Sequence, residues 1–117
     1  MKIQILLAED YKVLRELIRK TLEDKGFSIT TAVNGKEALL LWEQYRESGT
    51  PFDLLITDNS MPIMTGTELI EKVLEIDPDM KIIMYTGNPE DVNVPVPVVA
   101  KLSSYALVEK IREMCLL

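Results

Sequence analysis

Apolar runs of strand length alternate along this chain with segments whose apolar residues recur at helical spacing. That alternation predicts βαβ units on a parallel sheet. Ile3 to Ala8 reads as the first strand. Val13, Leu14, Leu17, Ile18 and Leu22 then recur at a helical period, and Gly26 lies just past the helix they predict. Ile29 to Val33 reads as the second strand. Asn34 followed by Glu37 resembles a capping box, with Asn where Ser or Thr is usual, and the helix it opens should bury Ala38, Leu41, Trp42 and Tyr45. Phe52 to Thr57 is nearly all apolar, as expected of a strand covered on both faces. Thr65 and Glu68 repeat the capping-box pattern and open a helix that closes before Pro78. Met80 to Tyr85 and Val96 to Ala100 read as the fourth and fifth strands. The last helix should carry Leu107, Val108, Ile111, Met114 and Cys115 on one face.

Five strands and at least four helices, joined by right-handed crossovers, leave few topologies. The expected fold is α/β, a doubly wound five-stranded parallel sheet in the flavodoxin-like order 2-1-3-4-5. No repeat or linker interrupts the chain, and 117 residues suit one domain, so residues 1–117 read as a single domain. A net charge of −6 argues against a general nucleic-acid surface, which needs clustered Lys and Arg, but it does not exclude a metal cation or a basic partner. The lone Cys115 cannot form an internal disulfide and reads as a core residue. No apolar run reaches the roughly 20 residues that span a bilayer. The opening strand runs directly into Glu9 and Asp10, unlike a signal peptide, so the expected location is cytoplasmic. There is no histidine, which excludes a Ser-His-Asp or Cys-His nucleophile pair and a His metal site on this chain.

Chemistry therefore rests on carboxylates, hydroxyls and lysine, and these stand at the strand ends. Glu9 and Asp10 follow the first strand, Asp58 the third, Thr86 the fourth and Lys101 the fifth. Ligands of open α/β sheets bind beyond the carboxyl ends of the strands, near the switch point, which here lies between strands one and three. Three carboxylates gathered there repel one another unless a hard divalent cation with oxygen ligands relieves them, and beside phosphate that cation is usually Mg2+. A lysine and a threonine hydroxyl could take further phosphoryl oxygens. Phosphoryl transfer needs little more than such positioning and charge neutralisation.

With these residues in place the chain resembles a response-regulator receiver domain of two-component signalling. The resemblance is carried by Leu7-Ala8-Glu9-Asp10, by the run from Asp53 through Asp58, Met61-Pro62 and Gly66, by Tyr85-Thr86-Gly87 and by Lys101. It implies that Asp58 accepts a phosphoryl group from a sensor histidine kinase or a phosphotransfer protein. It implies that Asp10 and Asp58 ligate Mg2+ directly with the Ser60 backbone carbonyl, and that Glu9 acts through metal-bound water. Thr86 and Lys101 are then the phosphoryl contacts. Such domains also dephosphorylate themselves, without turnover of an external substrate, and pass the signal to a downstream protein or a fused domain.

Three departures stand out. The interval from Thr86 to Lys101 is short for a full helix and is crowded by Pro89, Pro95 and Pro97. Asn88 as cap and Pro89 at the first position allow one short turn at most. The family's switch aromatic falls at Val98, and the proline that usually follows the lysine is Leu102. The usual signalling face is thus remodelled, and a monomer is expected with or without phosphate. Two other functions compete with the switch. A magnesium-dependent aspartyl phosphatase commonly carries a second acid where Ser60 stands, and Ser60 cannot serve. A degenerate adaptor that binds partners without phosphorylation would not need the complete set of Glu9, Asp10, Asp58, Thr86 and Lys101.

Overall fold

The computed structural model describes residues 2–115; the ends of the expected 1–117 domain, Met1 and Leu116-Leu117, lie outside the described residues. Five strands alternate with four α-helices among them: β1 (Gln4–Ala8), α1 (Lys12–Asp24), β2 (Ser28–Ala32), α2 (Gly35–Glu47), β3 (Leu54–Thr57), α3 (Gly66–Ile76), β4 (Ile82–Thr86), β5 (Val98–Ala100) and α4 (Ser104–Met114). All four strand pairings are parallel, in the order β2-β1-β3-β4-β5. The expected architecture holds.

Successive residues of a strand point to opposite faces, and the core divides accordingly. Ile5, Leu7, Leu54, Ile56, Ile83 and Tyr85 pack with α1 and α4 through Ile18, Leu22, Leu107 and Ile111. Leu6, Ala8, Leu55, Ile82 and Met84 pack with α2 and α3 through Ala38, Trp42, Leu69, Ile70 and Val73. Burial on both faces explains why β1, β3 and β4 read as continuous apolar runs.

The expected elements hold with adjusted edges. Phe52, Met80 and Val96 fall outside the strands and pack as apolar plugs instead. In α1, Leu14, Ile18 and Leu22 face the core, but Val13 and Leu17 are more than 60% exposed. In α2, Ala38 and Trp42 are buried and Leu41 partly so. Tyr45 is not buried; its ring stacks on Phe52 at 4.5 Å from the outside. Thr65 and Glu68 complete a capping box. Asn34 caps through the Glu37 amide, while the Glu37 carboxylate reaches past it to the Val33 amide.

The β4–β5 connection is a single 3-10 turn, Pro89–Asp91, followed by irregular backbone that bends at Pro95-Val96. Asn88 precedes the turn, but its side chain forms no cap. From 92 to 98 the chain alternates: Val92, Val94, Val96 and Val98 pack against the α2/α3 side of the core, while Asn93, Pro95 and Pro97 face out. This strap covers the sheet where the interval is too short for a full helix. The prolines lack a backbone N–H and suit a sheet margin with no further strand to pair.

Candidate functional site at the carboxyl ends of the strands

The strand ladders continue one residue past the strands and thereby fix the backbone of the acidic and basic residues. The Glu9 amide donates to the Ala32 carbonyl, the Asp58 amide to Ala8 and the Lys101 amide to Thr86, at 3.0, 3.1 and 2.9 Å. Glu9, Asp10 and Asp58 each bring a carboxylate oxygen within 4.8 Å of the others. Glu9 is buried, Asp58 partly buried and Asp10 exposed. Lys101 Nζ bridges the group, 2.6 Å from Glu9 Oε1 and 3.2 Å from Asp58 Oδ2.

One ammonium facing three carboxylates leaves an excess of negative charge. Burial pushes the Glu9 carboxyl above its ordinary range, and the Asp58 charge adds to that rise. The hydrogen bond and charge of Lys101, with the Tyr11 amide at 3.2 Å from Oε2, pull it back only in part. Three converging hard oxygen donors and residual negative charge fit a divalent cation such as Mg2+.

The loop after β3 is held against α3. The Asn59 amide donates to Asp58 Oδ1 at 2.7 Å, and the Asn59 side chain accepts from both the amide and the hydroxyl of Thr67. The Gly66 amide donates to the Asn59 carbonyl at 2.9 Å. A side chain at Gly66 would overlap the main-chain carbonyl of Asp58. The sequence marks Gly66 as part of a signature, but its physical reason lies in this contact between segments. Ile63, in the same loop, holds φ at 72° although it is β-branched.

Of the six residues singled out from the sequence, the structure brings Glu9, Asp10, Asp58 and Lys101 together. Thr86 is buried at the end of β4, and its hydroxyl accepts from the Asn88 amide at 3.2 Å. Among the described residues no hydrogen bond joins it to the acids. Ser60 is exposed in the loop just beyond Asp58. Sequence reasoning passed over Arg15, whose guanidinium reaches the main-chain carbonyls of both Glu9 and Asp10.

The chain is similar over much of its length to known signalling proteins. It is 45% identical over 84 residues to the response regulator receiver protein CpdR of Brucella abortus, a match covering 72% of this chain and 66% of CpdR, just short of two thirds of that protein. The structure of the response regulator TrrA of Thermotoga maritima, solved with Mg2+-BeF, superposes with a TM-score of 0.81 at 32% identity, covering 97% of this chain and 99% of that one. The chemotaxis protein CheY4 of Vibrio cholerae also reaches 0.81, at 25% identity and with the same coverage. Receivers are signalling proteins that work with histidine kinases, and are not turnover enzymes of the usual kind. No helix among the described residues is long and apolar enough to cross a membrane. The pattern of the response regulator receiver domain matches residues 5–110, nearly the whole of the sheet and its helices, and the chain belongs to that family.

Proposed function

We propose that the chain, as a single receiver domain over residues 1–117, is a phosphorylation-dependent switch in which Asp58 takes a phosphoryl group from a histidine kinase or phosphotransfer protein. One observation carries the reading: the carboxylate oxygens of Glu9, Asp10 and Asp58 converge within 4.8 Å, with Lys101 Nζ 3.2 Å from Asp58. Asp10, Asp58 and the Ser60 main-chain carbonyl would hold Mg2+ directly, with Glu9 supporting the ion as the third carboxylate of the cluster. When bound, the cation supplies positive charge that screens the carboxylates from the incoming phosphoryl oxygens.

In the transfer, an Asp58 carboxylate oxygen attacks phosphorus. The new P–O bond forms as the donor's P–N bond breaks. The imidazole nitrogen leaves with the bonding pair, and the ring departs neutral because its other nitrogen holds a proton. The Asn59 amide on Oδ1 keeps the carboxylate oriented. Lys101 follows the charge from the carboxylate to a phosphoryl oxygen. The Thr86 hydroxyl accepts from Asn88, which leaves its own proton free to donate to another phosphoryl oxygen. Reset is the reverse in kind: water attacks phosphorus, the Asp58 oxygen leaves with its pair, and inorganic phosphate departs.

Incubation with acetyl phosphate and Mg2+, followed by intact-mass measurement, tests this. The expected product is one added phosphoryl group, stable to acid and labile to base, and absent in Asp58→Asn. Normal phosphorylation of Asp58→Asn, or of the unmodified chain in excess chelator, rules the assignment out. An adaptor that binds partners without phosphorylation is the second reading, favoured by the strap that takes a helix's place. A chain that never gains the phosphoryl group supports the adaptor.

A further inference from the structure

We propose that Arg15 is a positioning residue that aims the Glu9 and Asp10 carboxylates into the crevice; this rests on reading the crevice as a Mg2+ site. Three consecutive carbonyls turn to this one residue. Arg15 Nη1 donates to the Glu9 carbonyl at 3.0 Å and to the Asp10 carbonyl at 3.2 Å. Its own amide donates to the Tyr11 carbonyl at 2.8 Å, opening α1. The peptide planes of the whole β1–α1 loop are thus referred to one side chain and one amide on the first turn of the helix.

Two further features show what this contact replaces. Tyr11 occupies the N-cap position of α1 and makes no side-chain cap, so the loop lacks the usual means of locking onto its helix. Arg15 also makes no ion pair within 4.0 Å among the described residues, although three carboxylates converge nearby. A guanidinium at the mouth of an acidic cluster ordinarily takes a carboxylate bidentately. Here it holds the carbonyls instead and leaves the acids for a cation. Asp10 depends on this most. It is exposed and no side-chain hydrogen bond orients it among the described residues, so the backbone alone sets the direction in which its side chain leaves the chain. Glu9 has Lys101 and the Tyr11 amide besides.

The two effects of the guanidinium on metal affinity have opposite signs, which makes the idea testable. As a brace, it strengthens cation binding by holding the ligands in place. As a bare positive charge, it weakens binding by repulsion. Arg15→Met removes both, and Arg15→Lys keeps the charge with poorer reach. Mg2+ titration calorimetry on the unphosphorylated proteins should show Arg15→Met binding about 10-fold more weakly, the size seen when a group that orients a metal ligand is lost. Arg15→Lys should recover part of the difference. Unchanged or tighter Mg2+ binding by Arg15→Met overturns the proposal, because the charge effect then outweighs any bracing. Hydrogen exchange without metal gives a second reading. The Tyr11 amide, bonded to Glu9 Oε2, should exchange faster in Arg15→Met while core amides of β1 and β3 do not. Equal exchange at Tyr11 also counts against the brace. If the unmodified protein binds no Mg2+, the metal reading itself has failed, and the exchange result alone decides whether Arg15 braces the loop.

Discussion

Lys101→Met, studied without divalent metal, isolates the electrostatics of the crevice. Methionine keeps most of the side-chain stem and removes the charge. What it abandons is a pair of carboxylates, Glu9 at 2.6 Å and Asp58 at 3.2 Å, whose side chains are only 2% and 12% exposed. Removing one partner of a buried ion pair costs about 3–5 kcal/mol, because the remaining charge stays buried and uncompensated. Lys101 and Asp58 keep some contact with water, so the lower figure, about 3 kcal/mol, applies. Coulomb repulsion between two carboxylates at 4.8 Å, the limit within which these oxygens lie, is about 3.5 kcal/mol at an effective dielectric constant of 20, a figure of the same size.

Urea unfolding in chelator at neutral pH should show this as a midpoint lowered by about 1–3 M, given ordinary denaturant slopes. The loss has a distinctive pattern of rescue. Glu9→Gln in the Lys101→Met background should restore stability, since it removes the stranded charge. Mg2+ at about ten times its Kd should restore about 1.4 kcal/mol. The deficit should also depend on pH. Burial already raises the Glu9 carboxyl and Lys101 lowers it, so without Lys101 the rise is larger. An acid raised in the folded state costs stability only when ionised. The deficit is therefore smallest below the ordinary carboxylate range and grows as pH climbs through the elevated range of Glu9. An unchanged midpoint, or a double variant whose loss equals the sum of the two single losses, would refute the argument that Lys101 compensates Glu9.

Gly66→Ala should lower stability by about 3 kcal/mol or more in thermal or urea unfolding, since the new Cβ meets the Asp58 carbonyl and lies 2.9 Å from the Asn59 Cα, both backbone. Ile63→Asn should raise stability by about 1 kcal/mol, because Ile63 holds a left-handed conformation while 75% exposed, and asparagine tolerates that conformation better. The phosphorylated chain should sediment as a monomer; a phosphate-dependent dimer joined through β5 and α4 would show that the remodelled face still signals.

The crevice was legible in the sequence because its residues sit at the ends of strongly patterned strands. Once Leu6 to Ala8 and Leu54 to Thr57 are read as neighbouring parallel strands, Glu9, Asp10 and Asp58 must emerge on one rim. The second ring of contacts was not legible in this way. Arg15 falls among the residues of an amphipathic helix, and nothing in the helical period says that its side chain turns back to the Glu9 and Asp10 carbonyls. Gly66 stands out in the sequence as part of a signature, but its need for no side chain comes from the Asp58 carbonyl across the loop, which no local pattern shows. Val13 and Leu17 show a further limit of the pattern, since they lie on the predicted helix but stay exposed. Helical spacing marks which residues share a face, but α4 and the sheet cover only the part of that face holding Leu14, Ile18 and Leu22.

The β4–β5 strap illustrates a signal that was present but obscured. Val92, Val94, Val96 and Val98 alternate with Asn93, Pro95 and Pro97, the period of an extended segment with one covered face. Proline within a run ordinarily demotes a strand, and only the last part, Val98–Ala100, pairs with β4. The remainder bends at Pro95-Val96 and is held by its valines and by one bond from the Met84 amide to the Pro97 carbonyl, at 2.9 Å. A helix in this place would bring its own hydrogen-bonded frame and could shift as a unit. The strap has only the short 3-10 turn at its start, so any motion transmitted from Thr86 must pass through irregular residues whose φ is fixed at Pro95 and Pro97. Lifting the valines would expose apolar surface at about 25 cal/mol per Å2 with no backbone pairing gained in return. The same valines that replace the helix therefore stiffen the path by which the crevice could reach that face.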